Sequence, residues 1–480
     1  MINIAIVPLD SRPCNHSWLI KLSKIAGINS FIYPLEKCGT LYKKASFLDI
    51  ITWLNTLDKI DYLILSTDGL CYGGLVQTRT GEVDLDLVKK NINFLKDLKQ
   101  KHPQLKIYSF DSIMRNSITS LDDESKKYYS LIWEYAVCYG RSHYLKLEKD
   151  LKRKEELETL IPINVRNKYL DARQKKLTLN KLFLKLYKDG ILDYHILLQE
   201  DATPYGIQKM DQDQIINYLE EIGLNDFKFY NGTDEGGAVL LAKIIGKIYN
   251  LKPKISLIYP NKDILKKIHP FEDIEFEVNL FSMLKAIGIE VVDNSNIYLA
   301  IYSENQPYNL RLDKYEIIKP NNDKDYQLFV QKVNDKLNNN DKVFLLDLLF
   351  PNGGSPDLLK NYDYHKLSGY SAWNTASNST GTLLCQLMAS LVTKDSKLNQ
   401  DFTIERVIDD CIYQYYSRRK TAEELVKEGH SINELHEYGK YAEEKINQYF
   451  KEFDIFSLDE KFNFFLPWNR MFEIELNLIK

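Results

Sequence analysis

Residues 62–79 read YLILSTDGLCYGGLVQTR. Five apolar or β-favouring residues are followed at once by a small-polar, glycine-rich turn that carries an acid. A short unbroken apolar run of this kind is a strand buried on both faces of a sheet. Asp68 then falls at its carboxyl end, and Gly73 and Gly74 allow positive φ or close backbone approach. No lysine follows the glycines and there is no G-x-G-x-x-G, which argues against a phosphate loop of either common type. The same unit recurs outward in both directions. Candidate strands are Asn3–Val7, Ser30–Tyr33, Lys106–Phe110, His195–Gln199, Phe227–Asn231, Ile255–Tyr259, Ile297–Tyr302, Val343–Asp347 and Gly369–Trp373. Helix-like stretches such as Phe47–Leu57, Leu85–Gln100 and Asp211–Ile222 separate them. Strand–helix alternation predicts an α/β protein with parallel strands. The expected architecture is a TIM-like (β/α) barrel with a helical insertion and a C-terminal helical region; tandem doubly wound parallel sheets are the alternative.

The expected organisation is a first part of the α/β core over 1–144, a helical insertion over 145–190, the remainder of the core over 191–400, and a C-terminal helical region with a closing strand over 401–480. The insertion holds LKLEKDLKRKEELETL (145–160), whose Lys/Glu runs read as a solvated face. With 480 residues, 44% hydrophobic and 27% charged, the chain has ample material for a core, and disorder is excluded. A net charge of −4 with interspersed signs disfavours a nucleic-acid partner. No apolar run reaches membrane-span length, and the N-terminus lacks a basic, signal-like start, so a cytoplasmic protein without membrane contact is expected. The six cysteines form no C-x-x-C pair and the histidines no H-E-x-x-H, so reduced structural thiols, no bound metal and no cofactor are expected. The 32 tyrosines are either a compositional bias or a supply of rings for stacking on sugars.

In parallel α/β folds the carboxyl ends of strands form the functional face, and seven polar clusters fall there. PLDSRPCN (8–15) offers Asp10, Arg12 and Asn15; Asp10 and Arg12 either pair with each other or grip a ligand. The glycine-rich segment offers Asp68, Tyr72 and Arg79, and FDSIMR (110–115) offers Arg115. LLQEDATPYG (197–206) sets Glu200 beside Asp201; adjacent carboxylates repel, so one proton is retained, as acid–base chemistry requires. YNGTDEGGAVLLAK (230–243) presents Asn231, Asp234 and Glu235. LLDLLFPNGGSPDLL (345–359) contains Asp347, expected to pair with an arginine or reach the site, and Asn352. GYSAWNTASNSTGT (369–382) combines Tyr370 and Trp373 with Asn374 and Asn378, a mixture of ring faces and amides suited to a sugar.

Taken together these motifs resemble a bacterial domain-of-unknown-function family marked by PLDxRPxN, YGGL, EDxxPxG, NGxDE and WNTxxN, over Pro8 to Arg470. A more distant likeness is to the barrels of glycoside hydrolase families 84 and 20, which act on N-acetylhexosamines with assistance from the substrate's acetamido group. That likeness implies Glu200 and Asp201 as the catalytic pair, Asp234 and Glu235 as an alternative pair, and Asp347, Asn352, Trp373 and Asn374 as sugar contacts. Arg12, Arg79 and Arg115 exceed what a neutral sugar needs, and imply either an anionic sugar or internal ion pairs. The expected activity is therefore that of a glycoside hydrolase on amino-sugar glycans or fragments, with a small-molecule or oligosaccharide substrate. Two alternatives stand beside it. One is a divalent-metal hydrolase or lyase using Asp10, Asp68, Asp201 and Asp234. The other is a non-catalytic sugar-binding regulator.

Overall fold

The computed structural model describes residues 2–304, 314–453 and 460–479. It is a mixed α/β protein in which the chain forms two compact units. Unit 1 comprises Met1–Ser11, Ile28–Leu240 and Phe271–Ile274; unit 2 comprises Arg12–Gly27, Leu241–Pro270 and Glu275–Lys480.

Unit 1 is built on β1 (Asn3–Val7), β2 (Asn29–Ile32), β3 (Tyr62–Ser66), β4 (Lys106–Ile113), β5 (Tyr194–Gln199) and β6 (Phe229–Asn231). All pairings are parallel, in the order β2-β1-β3-β4-β5-β6. Residues 4–7 and 63–65 are wholly buried, so the strands are covered on both faces, which is why their sequences are unbroken apolar runs. Between β4 and β5 the crossover carries three helices, Asp123–Tyr144, Glu148–Leu160 and Ile163–Lys188. The last packs on β4 and β5 through Leu177, Leu179, Phe183 and Leu184. Gly69 is required where the turn after β3 meets the turn after β1: a Cβ there would lie 2.1 Å from the Pro8 carbonyl oxygen.

Unit 2 is built on β7 (Lys254–Ile258), β8 (Glu290–Val291), β9 (Ile297–Tyr302), β10 (Lys342–Asp347) and β11 (Gly369–Ser371), parallel in the order β11-β10-β9-β7-β8. The helix Ala376–Ser390 is buried along its whole length. A closing antiparallel pair joins β12 (Phe462–Phe465) to β13 (Glu475–Leu478).

The expected closed barrel is thus corrected. The strands divide into two open parallel sheets, each with two edge strands, and the winding order is that of doubly wound sheets. Each of the ten predicted stretches falls on a strand of the two parallel sheets, in which only the two-residue β8 lies outside them. No helix among the described residues is long and apolar enough to cross a membrane.

Candidate functional site

The acids of unit 1 collect at the carboxyl ends of β3, β4, β5 and β6, in two linked networks. In the deeper one, Lys176 reaches in from the helix Ile163–Lys188 and is only 1% exposed. Its ammonium bridges Asp68 and Asp111. Ser112 Oγ donates to Asp68 Oδ2 (2.6 Å), and Asn180 Nδ2 donates to Asp111 Oδ2 (2.7 Å). One cation serves two buried carboxylates. Burial therefore pushes Asp68 up, with Lys176 opposing, while the Lys176 and His195 charges outweigh burial and hold Asp111 low. Tyr72 lies beneath Lys176, whose Nζ is 5.7 Å from the ring centroid. Asp68 and Tyr72 are therefore parts of the interior.

The second network is nearer solvent. Glu200 is 3% exposed and is clasped by Arg79. The Arg115 backbone N–H donates to its Oε2 (3.3 Å), and the Arg115 Nε lies 3.9 Å from Oε1. Against the cost of burial, Arg79 and Arg115 hold Glu200 below the usual carboxylate range. Arg115 NH1 also reaches Asp201 Oδ2 (3.3 Å), and 40% of the Asp201 side chain is open to solvent. Partial enclosure, with the charges of Glu200 and Asp234 beside it, lifts Asp201 against the pull of Arg115 and Arg79. The adjacent acids thus separate into one fixed anion and one raised, accessible carboxyl.

After β6, Glu235 is 1% exposed. The Thr233 N–H donates to its Oε2 (2.9 Å), whereas Oε1 makes no hydrogen bond. Burial first, then the charges of Asp234 and Glu272, push Glu235 up to about 8, so it is neutral at pH 7. Gly232 holds φ +134°, and a Cβ there would fall 1.6 Å from Glu235 Oε1. Asp234 is buried, and its charge raises the pKa of both Asp201 and Glu235. Asn231 has a structural partner: its Nδ2 donates to Asp273 Oδ1 (2.8 Å), whose other oxygen accepts from Gln212 (2.7 Å). Asp10 is buried at the end of β1.

The remaining predicted residues belong to unit 2. Arg12 and Asn15 bracket the turn Pro13–Asn15, and the Arg12 guanidinium sits 5.4 Å over the Trp468 ring. Asp347 pairs with no arginine among the described residues and is fully buried. Its oxygens accept from the backbone N–H of Ser355 (2.6 Å) and Leu349 (3.2 Å) and from Tyr370 Oη (3.3 Å), so it staples the loop after β10. Burial pushes Asp347 up to about 7 against those bonds. Tyr370 and Trp373 are 0% and 3% exposed. Neither has a free ring face for a sugar; Trp373 meets Trp18 edge-on at 5.6 Å. Asn352 and Asn374 both take positive φ, and the Asn352 N–H donates to the Asn374 carbonyl (2.8 Å). The amide oxygens of Asn352 and Asn378 make no hydrogen bond.

Several residues that shape the networks fall outside the motifs. Arg173, Lys176 and Asn180 share one buried stripe with Tyr169, Ala172 and Phe183. That three-to-four spacing is the signal that marks them. In unit 2, Arg406 pairs with Asp409 (3.0 Å) and Asp410 (2.8 Å) at helical spacing and covers the Trp18 ring at 3.6 Å. All six cysteines are free and buried. Among the described residues no group of three or more His, Cys, Asp or Glu side chains could hold a metal ion, so Asp10, Asp68, Asp201 and Asp234 form no such group.

Fold and site together define a two-sheet parallel α/β protein with an arginine-clamped carboxylate cluster at the carboxyl edge of its first sheet. The chain belongs to the DUF4127 family, described as a protein of unknown function, whose model matches residues 4–477. No curated protein and no solved structure matches it.

Proposed function

We propose that unit 1 is a glycoside hydrolase centre for amino-sugar glycans or their fragments. The observation that carries this reading is the splitting of neighbouring acids by their surroundings. Glu200 is held ionised by Arg79 and Arg115, Asp201 is raised and accessible, and Glu235 is neutral behind Asp234. Groups pushed apart in this way divide the acid and base roles. Asp201 protonates the leaving glycosidic oxygen. Glu200 is a fixed charge that keeps the proton on Asp201. Asp234 orients the acetamido group, whose carbonyl oxygen attacks the anomeric carbon as the exocyclic bond breaks. Water, deprotonated by Asp201, then opens the cyclic intermediate and restores the acid. The N-acetylhexosamine class rests on the likeness to glycoside hydrolase families 84 and 20.

A panel of 4-nitrophenyl glycosides tests this directly. Wild type should release 4-nitrophenol from an N-acetylhexosaminide. Asp201→Asn should lower kcat by about 10²–10⁴-fold, the usual share of general acid–base catalysis. Absence of turnover across amino, neutral and acidic sugars would falsify the proposal. Saturable binding of N-acetylhexosamine without turnover would make unit 1 a sugar sensor.

A further inference from the structure

We infer that unit 2 binds a tetrahedral oxyanion, a phosphate group, in a recess framed by Lys267, His269 and the first turn of the helix Ala376–Ser390. The recess is small and partly open, and lies among the loops that follow β10 and β11. In a parallel sheet that is the edge where ligands are bound. Three independent features converge on it.

The first is the helix end. Thr375, Ala376 and Ser379, the N-cap and first turn of a buried 15-residue helix, line the recess, and a helix N-terminus carries unpaired N–H groups and a partial positive charge. The second is Lys267. Its ammonium reaches Ser303 Oγ (3.1 Å) and the Glu304 main-chain oxygen, both uncharged, and it makes no ion pair among the described residues. Burial lowers its pKa to about 8, with the more distant Glu304 charge opposing, as befits a cation withdrawn from water without a paired carboxylate. The third is His269. It lines the recess at 5% exposure, and its Nε2 has no hydrogen-bond partner. The ring is fixed edge-on to Phe276 at 5.3 Å, and burial together with the Lys267 charge keeps it neutral. A neutral imidazole can donate from Nε2 to an oxyanion that a protonated neighbour already attracts.

A buried polar atom without a partner calls for a ligand or an ordered water. Here the orphan imidazole nitrogen, a desolvated ammonium and a helix N-terminus share one recess, and an oxyanion satisfies all three. A sugar hydroxyl would leave the ammonium uncompensated. The site is independent of the carboxylate cluster in unit 1.

Isothermal titration of the full chain with inorganic phosphate, in phosphate-free buffer at fixed ionic strength, should show saturable binding with Kd below about 1 mM. Lys267→Met should weaken it by about tenfold or more, the loss expected of a charge-assisted contact. Phenyl phosphate distinguishes the source. Tighter binding than inorganic phosphate identifies a phosphomonoester, and weaker binding identifies the free ion. The His269 Nε2 resonance should shift on adding phosphate to wild type, and this readout decides the matter if Lys267→Met does not fold. No saturable binding, equal binding by wild type and Lys267→Met, or an unmoved His269 resonance overturns the inference.

Discussion

Both sheets wind in the same order, with the second strand outside the first and the third, fourth and fifth following on the other side. Two buried acids of the first sheet and one of the second are held in opposite ways. In unit 1, Asp111 and Glu200 are met by cations delivered from distant stretches of chain, Lys176, Arg79 and Arg115, and both stay ionised below the usual carboxylate range. In unit 2, Asp347 is met by two main-chain amides and a tyrosine, and burial wins. A dipole stabilises an anion less than a full charge does; where one cation is shared, as Lys176 is by Asp68 and Asp111, only one of the two acids is held low. Where the acid only ties a loop, a neutral carboxyl suffices.

The largest expected effect comes from breaking the charge-on-charge arrangement. Lys176→Met strands Asp68 and Asp111 in the interior, and removing one partner of a buried ion pair costs about 3–5 kcal/mol. Urea denaturation should show that loss. Adding Asp68→Asn and Asp111→Asn to the same chain should recover most of it, because the uncompensated charges are then gone. If the triple variant is no more stable than Lys176→Met, packing of the lysine stem, rather than its charge, is what unit 1 depends on. The matching change in unit 2 should cost less. Asp347→Asn leaves one amide donor facing another at Ser355 or Leu349, about 1–3 kcal/mol for an unsatisfied buried group. Equal losses in the two units would erase the distinction drawn between them.

The sheets were legible because apolar runs such as YLILS and VFLLDLLF have one physical reading, burial on both faces. Closure was not. A barrel and two open sheets share the same βα alternation, and the choice depends on which strands become edges. The acids at 200, 201, 234 and 235 stood out because charge directly after an apolar strand needs a partner or a purpose. The buried cations of the crossover helix, which pair with Asp68, Asp111 and Asp211, did not, since Arg173 and Lys176 sit in ARQKK, where a charged helix face and a buried stripe look alike until the spacing from Tyr169 to Phe183 is counted. Tyr370 and Trp373 mislead in the opposite sense. Rings among asparagines suit a sugar, but here they fill the interior beside Asp347 and Trp18.

The smallest effect is the most discriminating, because its sign differs between the units. Asp347 titrates at about 7 in the folded chain against an ordinary value of 3.8. Between those values the native state holds a proton that the unfolded state has released. The contribution of Asp347 to stability is therefore full below about pH 4, declines as pH rises toward 7, and is constant above. Glu200 has its pKa lowered from 4.5, so its contribution is full above the ordinary value and is lost as pH falls through the folded one. Urea midpoints for wild type, Asp347→Asn and Glu200→Gln at several pH values from about 3 to 8 separate the two. The advantage of wild type over Asp347→Asn should shrink with rising pH, and its advantage over Glu200→Gln should shrink only toward the acid end. Two difference curves of the same slope would mean that amides and arginines hold these carboxyls alike, and the accessible proton assigned to Asp201 would lose the fixed anion that keeps it there.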